Sequence, residues 1–363
     1  MGHSAKITTI SWCPTVVDEN IRVLMSTGND CAVIFWSYDE TVKQFASGRP
    51  IKFVERTKGS DKAVQQAWSK GGRFAAVGFN DGRIRIYMLK PPHLKANIDR
   101  IEELDSHVNV ISSLEWAQNQ SSDNPPKLLS TSFDGSARIW TFSRQKWNQI
   151  EINCITDFIE AKADPKKYPK VNDGVWINRD SWIITALVGE GSQNQIRIWN
   201  AENGVLLHSL YKHTEHIQNL KPHPIYPTIF CSSGCDGLLL LWDAENGKNL
   251  SEVYFPSTVE TNEPISLHDV RWSPDGMQIS ACDSQGHVSF LGFGGNSKFL
   301  KIPDEMFFET DYHPVVRDRE GFVIDDQTGI APHLMNPGLY TNSNNEPHLG
   351  MINNFSHTFQ VNY

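Results

Sequence analysis

The chain has no run of about eighteen consecutive apolar residues, so the sequence encodes no single apolar helix of bilayer-spanning length, and no membrane partner is expected. Cysteine is sparse. Cys13, Cys31, Cys154, Cys231, Cys235 and Cys282 include no Cys-x-x-Cys pair, which removes the common zinc-knuckle and dithiol patterns. Cys31, Cys231 and Cys282 sit in predicted strands, where a free thiol serves as a small hydrophobe. No Gly-x-Ser-x-Gly elbow occurs, and Gly292-Phe-Gly-Gly-Asn lacks the Lys-Ser/Thr signature of a phosphate-cradling loop. Basic charge is in deficit as well. With 33 Lys and Arg against 42 Asp and Glu, the net charge of −9 opposes nonspecific nucleic-acid binding over the whole surface, leaving only local basic patches to consider.

What the sequence does have is tryptophan (11 residues), phenylalanine (18) and self-similarity. His3, Ser26, Asp30 and Trp36 recur at identical spacing as His107, Ser130, Asp134 and Trp140. His213, Ser232, Asp236 and Trp242 form a third copy, four residues shorter between His and Ser. Between these anchors run short apolar strands and tight polar turns, such as LLSTS-FDG-SARIW and IFCSS-GCDG-LLLLW, the pattern of β-hairpins. Weaker copies end on Tyr87, Trp199 and Leu291, so six units recur about every 50 residues, room for four short strands each. A buried indole N–H, a hydroxyl and an imidazole all need partners, and the turn carboxylate is expected to serve as their shared acceptor.

The same three residue types compose a hydrolase triad, which makes a propeller hydrolase the remote alternative. An enzyme needs one triad, whereas these sets recur at unit spacing, so they read as architecture and no catalytic residue is expected. His213-Thr-Glu-His216 with His223 invites a metal reading, but His213 already has a place in the repeat and no third ligand stands at zinc-site spacing. No metal and no cofactor are expected.

Three stretches break the rhythm. Residues 121–126 (SSDNPP) read as an exposed hairpin tip. Residues 153–172 place Lys162, Lys166, Lys167 and Lys170 around two prolines, either a solvated connector or a contact for an acidic partner or phosphate backbone. The stretch after about residue 302 is too rich in aromatics for a disordered tail and is expected to pack on the ring or lead into another module.

Gly2-His3 at a unit start, Ser-x-x-x-Asp within it and Trp242-Asp243 at its end resemble WD repeats, whose His, Ser, Asp and Trp are tied in a hydrogen-bonded network within each blade. The resulting expectation is an all-β WD-repeat β-propeller with six recognisable blades (1–302), an incomplete seven- or eight-bladed ring, then an extension (303–348) and a disordered tail (349–363). A narrower resemblance rests on GFGGNSKFLKIPDEMFFETDYHPVVRDREGFVIDDQTGIAPHLMNP, with RPIKFVERTKG, HPIYPTIFCSSGCDG and SPDGMQISACDSQGHV in support. To about residue 348 the chain resembles the BRWD/PHIP family of bromodomain and WD-repeat proteins. That resemblance implies a non-catalytic interaction scaffold for protein partners, nuclear and secondarily cytoplasmic, that regulates chromatin and transcription, with links to cytoskeleton organisation and cell shape. It also implies service as a substrate receptor of a cullin-RING ubiquitin ligase through an adaptor. The Trp-Asp-x-Arg motif common in such receptors is absent, since Ala244 and Glu245 follow Trp242-Asp243. Family members carry about two further repeats upstream and bromodomains downstream. Because only Met1 precedes Gly2-His3, the expectation is that residues 297–302 supply the outer strand of the last unit, and that the first and last units leave an apolar face exposed that invites self-association.

Overall fold

Runs rich in valine, isoleucine and leucine, punctuated by Asp-Gly turns, become antiparallel strands in the computed structural model. It describes residues 2–15, 20–45, 50–54, 62–90, 97–105, 107–119, 127–143, 146–162, 164–190, 193–255, 265–292, 315–317 and 323–325. Two units are distinguished, Met1–Gly292 and Phe293–Tyr363. The first holds six antiparallel sheets in chain order.

Blade 1 contains β1 (Ile7–Trp12), β2 (Ile21–Gly28) and β3 (Ala32–Asp39), and its outer edge is shared by β4 (Gln44–Phe45) and β5 (Ile51–Val54), both paired with β3. Blade 2 is β6 (Ala63–Trp68), β7 (Phe74–Phe79), β8 (Arg83–Lys90) and β9 (Asn97–Asp105). Blade 3 is β10 (Ile111–Trp116), β11 (Lys127–Ser132), β12 (Ser136–Ser143) and β13 (Lys146–Asn153). A short helix α1 (Thr156–Glu160) and a 3-10 turn (Pro165–Lys167) lead to blade 4, made of β14 (Lys170–Ile177), β15 (Trp182–Val188), β16 (Gln195–Asn200) and β17 (Leu206–Leu210). Blade 5 is β18 (Ile217–Pro222), β19 (Ile229–Gly234), β20 (Leu238–Asp243) and β21 (Lys248–Tyr254). Blade 6 has three strands among the described residues, β22 (Leu267–Trp272), β23 (Gln278–Asp283) and β24 (Val288–Gly292). In the second unit β25 (Val315–Arg317) and β26 (Val323–Asp325) pair as a hairpin. Residues 121–126, the expected outer strand at 297–302, the aromatic segment 304–312 and the tail 349–363 lie outside the described residues.

The core lies between blades. Five apolar clusters bridge successive pairs: for example, Ile84 and Ile86 of blade 2 pack with Ile111, Leu114 and Trp116 of blade 3. Sheets alternate which face each residue presents, so a strand with both faces covered reads as continuous apolar sequence, and β3, β12 and β16 do. The turn joining the second and third strands needs a left-handed residue. Gly135 (φ 84°) and Gly237 (φ 72°) supply it in blades 3 and 5, whereas blade 1 places Cys31 (φ 60°) there.

Every inner strand carries a register break at the same place, between Ile7 and Thr9, Ala63 and Gln65, Ile111 and Ser113, Val171 and Asp173, Ile217 and Asn219, and Leu267 and Asp269. The extra residue frees a side chain from the sheet and aims it at the next blade. Thr8 Oγ1 donates to the Ala63 carbonyl (2.7 Å), Ser112 Oγ to Val171 (2.7 Å) and Asn172 Nδ2 to Ile217 (2.9 Å). In the opposite direction, the tryptophans closing three of the inner strands donate their indole N–H to the blade before, whereas the Trp68 indole N–H of blade 2 is buried without a hydrogen-bond partner. Trp116 bonds the Ala67 carbonyl (3.1 Å), Trp176 that of Glu115 (3.0 Å) and Trp272 that of Lys221 (3.1 Å). The joints are therefore directional.

Candidate interaction surface

The repeated anchors come together in all three sets. His107 Nδ1 lies 3.0 Å from Asp134 Oδ2 and its Nε2 2.9 Å from Ser130 Oγ, to which Trp140 Nε1 donates at 2.9 Å. His3, Ser26, Asp30 and Trp36 repeat this at 2.8, 2.8 and 2.9 Å, and His213, Ser232, Asp236 and Trp242 at 2.9, 2.8 and 2.8 Å. An ionised carboxylate can only accept, so Nδ1 carries the proton, Nε2 accepts from the serine, and the serine oxygen accepts from the indole. The shared group is thus the serine hydroxyl. The carboxylate serves the ring and the turn instead, accepting from Val108 N and Ser136 N in blade 3, and it does not touch the tryptophan. Burial raises the Asp30 carboxyl, but the His3 hydrogen bond and the Ser4 N–H outweigh it and leave the pKa lowered to about 2. Asp134 and Asp236 are likewise held below their ordinary value, desolvation being outweighed by the bonds from His107 and His213.

Ser26, Ser130 and Ser232 are at most 2% exposed, each enclosed within its sheet. These triads offer no hydroxyl to a substrate in solution. His223, named beside His213 and His216 in the metal reading, is used in packing. Its Nδ1 accepts from Ile225 N and Tyr226 N (both 3.0 Å), its Nε2 donates to the Gly276 carbonyl (3.1 Å), and its ring lies 4.5 Å from that of Trp272.

Blades 2, 4 and 6 depart from the anchor set. In blade 4 Trp199 Nε1 donates to Thr185 Oγ1 (2.9 Å), so a threonine takes the serine's place without histidine. Blade 2 uses an ion pair, Arg85 Nε to Glu103 Oε2 at 2.9 Å, with the guanidinium over the Phe79 ring. Arg197, two residues before Trp199, is buried and forks onto Asp157 of α1 (2.9 and 2.6 Å) while also donating to the Cys154 carbonyl (2.8 Å). With Phe158 packed below, this pins the start of the lysine-bearing segment to blade 4. Lys162, Lys166, Lys167 and Lys170 are all exposed; Lys167 pairs with Glu190 (3.2 Å) and Lys170 stands over the Phe133 ring (5.5 Å), leaving Lys162 and Lys166 as the outward pair.

The inner strands of the six blades line one central cavity of about 1100 Å³. Its wall is polar, with Gln65, Ser113, Asn172, Asn219, Lys221 and Asp269 among its residues. Glu115 belongs to it. Burial pushes its carboxyl up to about 8 despite the Trp176 backbone N–H at 2.8 Å, and Asp173 nearby adds to the rise. At neutral pH this side chain is mostly uncharged, which lessens the negative charge of the wall. Nothing in the spacing of the anchors pointed to this lining. The signal was the residue at the inner-strand bulge, polar in five blades and Val64 in blade 2, followed four positions later by tryptophan in five of the six blades: Trp12, Trp68, Trp116, Trp176 and Trp272.

Repeated antiparallel sheets with this anchor network and a polar central cavity define the WD40 β-propeller class. The WD domain, G-beta repeat model matches residues 99–141 and 204–243, so the chain carries WD repeats. A bromodomain and WD repeat-containing protein of Dictyostelium discoideum is 28% identical over 293 residues, covering 77% of this chain and 12% of that protein's length. Methylosome protein WDR77 of Xenopus laevis is 29% identical over 123 residues, a third (33%) of each chain. The chain thus spans a minor part of both relatives. In three dimensions it is similar to a chain of the mitotic checkpoint complex (TM-score 0.54, 14% identity, 81% of this chain and 82% of that one), a likeness of fold.

Proposed function

We propose that the chain is a non-catalytic WD-repeat scaffold that holds an extended polypeptide segment over the mouth of its central cavity and acts in the nucleus on chromatin. The observation that carries the first part is the cavity wall. Amides, hydroxyls and a few charges contributed by every blade suit the alternating donors and acceptors of a peptide backbone. The nuclear, chromatin-linked part rests on the likeness to a bromodomain and WD repeat-containing protein and on the resemblance of the post-propeller segment.

Lys221 and Arg271 lie on the wall; Arg271 is exposed and the blade joint uses the backbone carbonyl of Lys221, not its side chain, so charge reversal at both leaves that hydrogen bond in place. The double variant Lys221→Glu/Arg271→Glu is expected to melt like the wild type while losing captured partners at least tenfold in affinity purification from nuclei. Histones and chromatin factors among those partners support the reading. A ubiquitin-ligase adaptor recovered without histones moves it to a substrate receptor, and equal capture by both proteins removes the cavity from it. If the lysine segment contacts nucleic acid, replacing Lys162, Lys166, Lys167 and Lys170 with Glu abolishes nucleosome retention at low salt; equal retention leaves a solvated connector.

A further inference from the structure

Two faces of the blade array break a rule kept everywhere else in it. On each third strand, the residues one and three places before the anchor position (Trp36, Tyr87, Trp140, Trp199, Trp242 or Leu291) face the next blade. They are Val33 and Phe35, Ile84 and Ile86, Ala137 and Ile139, Ile196 and Ile198, and Leu239 and Leu241, all wholly or largely buried. In blade 6 these positions are Val288 and Phe290, which are 60% and 76% exposed. On the inner strands, the places of Ile111, Leu114 and Trp116, buried against blade 2, are held in blade 1 by Ile7, Ile10 and Trp12, which are 45%, 59% and 46% exposed. His268, at the bulge position whose side chain in blades 1, 3 and 4 donates forward, is exposed as well. These are the forward half and the backward half of one blade joint.

We propose that the two halves meet between two copies of this chain, blade 6 of one copy packing on blade 1 of the next. The occupant follows from the direction of the joints. At every joint a forward face supplies aliphatic side chains, and at three of them it also supplies a carbonyl that receives the indole of the backward face. Two backward faces placed together would set indole donor against indole donor and two forward faces carbonyl against carbonyl, so each face needs the opposite kind, and the chain carries one of each. Continuity with five internal joints of the same apolar packing, three of which also carry the indole bond, gives the geometry. Such an interface is heterologous, so it extends rather than closing as a two-fold pair.

The test uses one variant per end, Ile10→Asp and Phe290→Asp, both at exposed positions, with Ile7→Lys and Val288→Lys as a second pair should either fail to melt cooperatively. In sedimentation velocity the wild type is expected to gain mass with concentration, and each variant alone to remain monomeric, association weakening at least tenfold. An equimolar mixture of Ile10→Asp and Phe290→Asp retains one intact face of each kind and is expected to stop at a dimer. A wild type that stays monomeric up to about 100 μM, a concentration that would reveal even a weak interface, overturns the proposal. So does a mixture no heavier than its components, which would mark a like-to-like contact, and so does undiminished association of either variant.

Discussion

At the scale of single residues, the hydroxyl rather than the carboxylate is the junction of each anchor set, and the two are separable. Ser130→Ala orphans the indole of Trp140 and the imidazole of His107 together inside the sheet, at about 1–3 kcal/mol for each buried group left unmet. Asp134→Ala removes the acceptor of the ring nitrogen, of two turn N–H groups, one of them at the surface, and of the Ser136 hydroxyl, but that hydroxyl already lies 3.2 Å from His107 Nδ1 and can accept its proton, so the variant is expected to cost less. Thermal melts of both variants check the order; a larger loss for Asp134→Ala would return the central role to the carboxylate.

Two kinds of carboxyl pull stability in opposite directions with pH. Asp30, lowered from 3.8 to about 2, stabilises the fold above pH 3.8, and that contribution is lost as the pH falls from there through 2. Glu115, raised from 4.5 to about 8, does the reverse. The unfolded chain releases this proton first, so its contribution is complete below pH 4.5 and is lost as the pH climbs to about 8. Glu115→Gln keeps an acceptor for the Trp176 N–H without the ionisation. Its melting temperature relative to wild type is expected to rise between pH 5 and pH 8.5, whereas a constant difference over that interval would mean the carboxyl titrates normally.

At the scale of elements, α1 is only five residues long, too short to stand by itself in water. It persists because Asp157 meets a guanidinium that blade 4 has already buried. The pair is asymmetric: the Arg197 side chain is enclosed while Asp157 reaches solvent. Asp157→Ala therefore leaves a buried cation with fewer acceptors and is expected to cost about 1–3 kcal/mol. Arg197→Met removes the cation itself and should recover part of that loss in the double variant. Thermal melts of the two single variants and the double variant measure the coupling.

How much could be read beforehand follows the same division. Spacing alone located His3, Ser26, Asp30, Trp36 and their two counterparts, because a network tied to fixed strand positions repeats its residue types. Thr185 escaped because another hydroxyl does the serine's work. Arg85 escaped because a buried charge on a strand looks, in one dimension, like any solvated residue; Arg197, two before Trp199, reads from its place as a strand residue facing a neighbouring blade or the channel, but nothing in the sequence names Asp157 as its partner. The cavity wall escaped because its members share a polar character and a bulge, not a residue type.

At the scale of the molecule, six sheets were legible from turn chemistry and an interval near 50 residues, since each hairpin writes its own local signal. The joints between them were not. They depend on which face a strand turns outward, and alternating patterns blur where both faces are covered. Only the structure shows that cohesion lies between neighbours, in clusters that each span two blades.

That arrangement makes the array behave as a one-dimensional lattice with nearest-neighbour coupling. Among the described residues, blades 2 to 5 are each held by two couplings and blades 1 and 6 by one, although all six are built on similar strands. Melting a terminal blade forfeits a single coupling and leaves the remainder still cooperative; melting blade 3 or 4 severs the lattice. Fraying therefore starts from the ends and moves inward. A sequence change of equal local cost weighs most heavily in the middle of the array, where the helix bearing Asp157 also happens to be anchored.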